Sequence, residues 1–322
     1  MNSDRVVICG CGDIGLRAAH ELLGKDSGTE VRAWVNTQLS AELCQQRGLA
    51  SEILELNNAL RLPEQLNGAD LIYLVPPSSS GIVDQRSTHI LYAMEQQAMR
   101  PKKVVLLSTT AVYGDCAGAW VNEKTPAKPQ TNRGKRRLDA ERQWLKWALS
   151  NSISLIVLRV AGIYAFDRIP RARIAQGSPL VIAQECGFSN RIHADDLAKI
   201  IVAALALETK FEIFNVSDGM PTTLTEFMVE ATKVAGLPPL PQISMAEAEQ
   251  QLGKSLLSYL RESRQIDNKK MLKQLKVTLS HPDFRSGLRH QSLAKSLFNR
   301  SGSDHRANNN RGFDKSGLST QA

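Results

Sequence analysis

The sequence predicts an α/β chain built on a parallel sheet, and three observations predict it. Short β-branched runs alternate with longer amphipathic stretches along the first two thirds of the chain. Several of those runs are apolar throughout, as suits strands covered by helices on both faces. The first run opens directly onto a glycine-rich loop, Gly10-Cys11-Gly12-Asp13-Ile14-Gly15, which in turn begins a helical pattern.

In chain order, residues 5–8 read as a strand, 13–24 as a helix, 31–35 as a strand and 40–47 as a helix. The alternation continues through strands at 51–56, 71–75 and 103–107. The second of these ends at Pro76-Pro77 and the third at Ser108-Thr109-Thr110. A long amphipathic helix is predicted over 133–149, a strand over 154–158, a helix over 194–207 and a strand over 211–216. The stretch 168–190 breaks the rhythm, and beyond 219 helices predominate to about 299. The expected architecture is a Rossmann-type doubly wound parallel sheet over 1–218, interrupted by an insertion at 166–190. A smaller, mostly helical C-terminal substrate lobe follows over 219–300. Residues 301–322 carry Ser, Gly, Asn and charge with almost nothing apolar, and are expected to be a disordered tail.

At 322 residues and 42% hydrophobic content, the chain is long enough for a large core. The formal net charge of +8 is unevenly placed: residues 1–253 hold 26 Lys/Arg against 27 Asp/Glu, and residues 254–322 hold 14 against 5. The body is nearly neutral. Because the basic end carries no nucleic-acid motif and aromatics make up only 5% of the chain, a solvated surface is expected there and nucleic acid is not an expected partner. Five cysteines (Cys9, Cys11, Cys44, Cys116, Cys186) without a CxxC indicate neither a disulfide framework nor a metal site. No apolar run approaches the roughly 18–20 residues of a membrane span, and the expected address is the cytoplasm.

The glycine loop carries a specific mechanism because a strand precedes it and a helix follows. Gly10 permits the tight turn, Gly12 lets backbone N–H groups approach a pyrophosphate, and Gly15 lets helix and strand pack closely. The expected cofactor is NAD or NADP. An acid at the end of the second strand would select NAD and an arginine nearby NADP. Asn36 and Thr37 stand there and leave the choice open. Glu55, at the end of the third expected strand, is a candidate to accept from the adenine amino group.

From Ser108 onward five landmarks appear in order: Ser108-Thr109-Thr110-Ala111-Val112-Tyr113-Gly114, Asn122-Glu123-Lys124-Thr125-Pro126, Leu158-Arg159-Val160-Ala161-Gly162-Ile163-Tyr164, Arg191-Ile192-His193-Ala194-Asp195-Asp196-Leu197 and Phe214-Asn215-Val216-Ser217. On these the chain resembles the extended and atypical branches of the short-chain dehydrogenase/reductase superfamily. The likeness is strongest to nucleoside-diphosphate-sugar epimerase/dehydratase-like proteins, and it covers most of residues 4–300. The loop departs from the usual GxxGxxG of that superfamily, which points to the atypical branch. The resemblance implies that Thr109, with Ser108 beside it, holds a substrate hydroxyl or carbonyl, and that Pro76 and Pro77 line the cofactor cleft. It also implies pairing into a homodimer through the helices that precede and include the catalytic one.

Active members of the superfamily place a Tyr and a Lys four residues apart on one helix face. Aligned without a gap on Asn132-Arg133-Gly134-Lys135-Arg136-Arg137-Leu138-Asp139-Ala140-Glu141, that pair falls on Arg133 and Arg137. A register using Lys135 instead places Thr131 at the tyrosine. Arginine keeps its proton at physiological pH, so Arg133 cannot act as a general base. An Arg pair at i and i+4 can bind an anion, and Arg168, Arg171 and Arg173 would add to an anion-friendly cleft. Lys135, Arg136 and Arg142 are expected on a solvated face. Tyr113, Tyr164 and His193 remain as candidates for proton transfer. The expectation is an NAD(P)-dependent epimerase, dehydratase or oxidoreductase acting on a small anionic, sugar-nucleotide-like substrate through a non-standard site. The alternative is a dinucleotide-binding sensor or scaffold with little or no catalysis.

Overall fold

The computed structural model describes residues 5–24, 28–57 and 61–289. The expected tail at 301–322 lies outside the described residues, as does the end of the expected C-terminal lobe.

The N-terminal half alternates as its pattern predicts: β1 (Arg5–Cys9), α1 (Asp13–Leu23), β2 (Glu30–Val35), α2 (Gln38–Gln45), β3 (Ala50–Ile53), β4 (Asp70–Tyr73), α3 (Gln85–Gln96) and β5 (Lys103–Thr109). After a two-residue strand, β6 (Trp120–Val121), come the long helix α4 (Asn132–Asn151) and β7 (Ser154–Val160). The irregular stretch then holds β8 (Gly162–Tyr164), α5 (Arg171–Ala175), β9 (Leu180–Val181) and β10 (Arg191–His193). The rhythm returns with α6 (Ala194–Ala206) and β11 (Phe211–Val216).

Seven strands form one sheet in the order β11-β7-β5-β4-β1-β2-β3, and every neighbouring pair is parallel. The period-2 alternation divides each strand between two cores. Val6, Ile8, Ala33, Val105, Ile156 and Phe214 face the layer that holds α1 and α6. Val7, Cys9, Trp34, Tyr73, Leu106 and Val157 face the layer that holds α3 and α4. Both faces are dry, which explains why these strands read as unbroken apolar runs. Strand order reverses between β1 and β4, and the crevice beyond their carboxyl ends is where ligands bind in such sheets.

Beyond β11 lie α7 (Leu224–Val234), β12 (Gln242–Ile243), α8 (Met245–Gln251), α9 (Lys254–Arg261), β13 (Gln265–Ile266) and α10 (Lys269–Leu275). Their short strands pair with earlier segments: β12 with β9, and β13 with β6. The C-terminal residues are therefore laced into loops that leave the carboxyl edge of the sheet. No helix among the described residues is long and apolar enough to cross a membrane.

Candidate active site

β1 delivers the chain to Gly10, whose φ of +83° is open to glycine. A Cβ there would stand 3.0 Å from the Val75 amide nitrogen and 3.2 Å from the Leu74 carbonyl carbon, so the loop crosses the end of β4 at glycine distance. At Gly15 a Cβ would meet Cys11 Sγ and Ile8 Cγ2 at 3.1 Å, which keeps α1 tight on β1. Gly12 differs: nothing lies within 4 Å of where its Cβ would be. It is the N-cap of α1 and provides no side-chain cap. The first-turn amides of a helix lack intrahelical acceptors, and here they meet open space at the positive end of the helix dipole. A side chain at position 12 would fill that space, and a pyrophosphate fits it.

The flanks of the crevice are polar. Asp13 opens α1 and pairs with Arg17 at 3.1 Å and with Arg168 at 2.5 Å, while Arg17 also bonds Asp195 and, at 2.7 Å, Asp167. Burial opposes ionisation of Asp13, yet the two guanidiniums hold its carboxyl below the ordinary carboxylate value. Asn36 and Thr37 are exposed at the end of β2, and Thr37 caps α2 by accepting from the Ser40 amide at 3.2 Å. Glu55 stands beyond the end of β3 and is exposed. Pro76 is exposed and Pro77 half-buried in the loop after β4, where the Pro76 carbonyl accepts from Arg86 at 3.1 Å.

Helix α4 distributes its basic residues to three places. Arg133, in the first turn, lines a cavity of about 190 Å³ together with Thr109, Asn190, Tyr259, Glu262 and Arg264. Arg137, one turn later, is buried, and its Nη1 donates to the carbonyls of Leu107 at 2.9 Å and Val75 at 3.4 Å, across the ends of β5 and β4. Burial pushes the Arg137 guanidinium below its ordinary value, against the pull of Asp84, Tyr73 and Glu141. Arg136, expected on a solvated face, is 9% exposed and donates to the Gly81 carbonyl in the loop after β4. The i,i+4 spacing thus yields one residue in the cavity and one braced against the sheet, while Arg136 anchors the loop beside the crevice.

The remaining candidates are held elsewhere. Ser108 donates to Glu141, which also takes a two-pronged contact from Arg159, with Nη2 at 2.8 Å and Nε at 3.2 Å. Tyr113 is 1% exposed and donates to Asn215 at 2.7 Å, and burial raises its phenol pKa. Neither Ser108 nor Tyr113 lines the cavity. Tyr164 donates to the Asp283 carbonyl at 3.0 Å. His193 caps α6 by accepting from the Asp195 amide at 3.2 Å and stacks on His281 with ring centres 3.7 Å apart. Arg168 serves Asp13, and Arg171 donates to the Ala235 carbonyl at 3.3 Å. Of the expected site residues, the fold brings Thr109 and Arg133 into one cavity, whose other wall the sequence reading missed.

That wall is the segment from Tyr259 to Arg264. Ser263 ties it to two loops: its carbonyl accepts from Cys116 and Gly118 at 3.0 Å, and its Oγ accepts from the Phe188 amide at 2.9 Å. Asn190 completes the lacing, donating to the Arg264 carbonyl and accepting from the Ile266 amide, both at 2.9 Å. Arg264 belongs to the basic C-terminal segment read as solvated surface, yet it is 7% exposed. Its proximity to the first half of the chain is set by pairing between β13 and β6, which no local pattern encodes.

Residues 85–217 match the model of the NAD dependent epimerase/dehydratase family. Among curated proteins no sequence matches the chain significantly. A functionally unknown conserved protein from Silicibacter pomeroyi DSS is 28% identical, with a TM-score of 0.78 over 91% of this chain and 99% of the other. UDP-glucuronic acid 4-epimerase from Bacillus cereus in complex with NAD is 16% identical, with a TM-score of 0.70 over 91% and 97% of the two chains. UDP-glucose 4-epimerase from Thermus thermophilus in complex with NAD is 19% identical, with a TM-score of 0.69 over 88% and 96%. The last two share the fold. The match to that family model spans residues 85–217, which carry β5, α4 and β7, and the seven-stranded sheet around them is the fold these epimerases share.

Proposed function

We propose that the chain binds NAD or NADP at the Gly10–Gly15 loop and uses it in an epimerase-, dehydratase- or oxidoreductase-type reaction on a small anionic substrate. The observation that carries this reading is the meeting of Thr109 and Arg133 in one cavity at the carboxyl end of β5. Gly12 leaves room for a pyrophosphate, and two of the proteins that share this fold are sugar-nucleotide epimerases in complex with NAD. When bound, the nicotinamide supplies a hydride acceptor or donor.

This chain's own residues bind and orient. Thr109 Oγ1 accepts weakly from the Ala111 amide at 3.3 Å, which leaves the hydroxyl proton to donate to a substrate oxygen. Arg133 makes no hydrogen bond or ion pair among the described residues, and its fixed charge stabilises negative charge on the substrate. Arg137 spends Nη1 on the two strand-end carbonyls, while its Nε and Nη2 make no hydrogen bond among the described residues. Incubation with NAD or NADP and a panel of sugar-nucleotide and hydroxy-acid compounds tests the proposal, with net cofactor reduction followed by absorbance and conversion of the compound followed by NMR, because an epimerase or dehydratase regenerates its cofactor in each turnover. Thr109→Ala should lower kcat at least 100-fold and leave cofactor affinity within twofold. Cofactor binding without turnover on any compound would favour the sensor reading instead.

A further inference from the structure

We infer that Arg264, Arg133 and Glu262 form an oxyanion subsite that takes the charged end of a small hydroxylated acid next to Thr109. The inference rests on the reading above that this cavity is where substrate meets cofactor, and it narrows the substrate class from small anions to hydroxylated acids.

Three features of the cavity wall carry it. Arg264 uses only one corner of its guanidinium: Nη1 donates to the Gly114 carbonyl at 2.7 Å and to Glu262 Oε2 at 2.9 Å. Nε is buried without a partner, and Nη2 makes no hydrogen bond among the described residues. Nε and Nη2 form the edge that meets a carboxylate or phosphate with two parallel bonds. A buried unpaired donor is costly, more so on a charged group, and a bidentate oxyanion removes that cost.

Glu262 offers the complement. Oε2 accepts from Arg264, whereas Oε1 is buried without a partner. An acceptor beside an unpaired guanidinium edge suits a ligand that carries a hydroxyl next to its anionic group, the hydroxyl donating to Oε1 as the anion accepts from Arg264. Arg133 contributes a second cation from α4, so the wall holds two guanidiniums against one carboxylate.

The test is isothermal titration of the full chain, with and without saturating NAD, using D-gluconate, glucose 6-phosphate, inorganic phosphate, glucose and UDP-glucose as probes. At least one of the two anionic sugars should bind at least tenfold more tightly than glucose, and which one does so separates carboxylate from phosphate recognition. Arg133→Gln and Arg264→Gln should each weaken that anion at least tenfold and leave NAD affinity within twofold. Glu262→Gln should weaken the hydroxylated anion and leave inorganic phosphate binding unchanged. Because Arg264 also braces the Gly114 carbonyl, Arg133→Gln is the variant on which the inference stands if Arg264→Gln unfolds. Glucose binding as well as both anions, no binding of either anion at millimolar concentration, or UDP-glucose binding tightest and untouched by Arg133→Gln would each overturn it. Loss of NAD binding alone would sink the cofactor reading, while the titrations without NAD still decide the subsite.

Discussion

Gly12→Ala separates binding from folding in a way that few substitutions in a glycine loop can. Position 12 has φ of −89°, a value open to alanine, and its new Cβ would meet no atom within 4 Å. Two opposing terms bear on stability. Alanine is a poorer N-cap than glycine, whereas replacing glycine restricts the unfolded chain by about 0.4–1 kcal/mol. They offset, so the unfolding free energy should change by less than about 1 kcal/mol, which in a chain of this size moves Tm by about 2 °C. The cofactor, by contrast, meets the methyl where its pyrophosphate would contact the helix amides. A tenfold loss in affinity corresponds to about 1.4 kcal/mol, and displacement of the phosphates from those amides should cost at least that. Gly10→Ala provides the control: φ of +83° and a 3.0 Å approach to Val75 predict a destabilised protein instead. The assay is a thermal melt paired with quenching of intrinsic fluorescence by NADH. A Gly12→Ala protein that melts like wild type and binds NADH equally well would refute the cradle.

Other consequences concern stability. Glu141→Ala strands the Arg159 guanidinium, whose partner carboxylate is 6% exposed, and should cost about 3–5 kcal/mol in urea unfolding; a loss below 1 kcal/mol would remove the network from the account. His193 is pushed down to about 4 by burial and then by His281, against the pull of Asp195 and Asp196. The unfolded chain, with an ordinary imidazole near 6.5, therefore binds the proton more readily, and stability present above that value should be lost as pH falls towards 4. His193→Asn keeps a capping acceptor and should flatten that part of the Tm profile. Asp218 has the opposite sense: burial raises its carboxyl to about 7, so its contribution is present at acid pH and lost as pH rises through 7. Asp218→Asn should accordingly raise Tm at pH 8 and leave it little changed at pH 5.

The sheet was legible in the sequence because its central strands are dry on both faces, so that β5 and β7 stand out as apolar runs without any partner in view. The glycine loop was legible because strand, turn and helix are contiguous. What escaped are the contacts made by distant pairing. Strands β9, β12, β6 and β13 have two residues each, too few to leave a pattern, and their pairing brings Arg264 to the cavity. For Arg136 and Arg137, helix geometry alone shows that residues share a face but not whether a carbonyl waits there. Arg136 found Gly81, and Arg137 found the ends of two strands. The boundary of β3 was also misplaced: it ends at Ile53, so Glu55 stands two residues beyond the strand.

The most direct test of the account is a structure of the chain with NAD or NADP bound. The account predicts the pyrophosphate against Gly12 at the start of α1 and the nicotinamide opening onto the cavity that holds Thr109 and Arg133. A cofactor seated away from Gly12, or a nicotinamide facing away from Thr109, would contradict it.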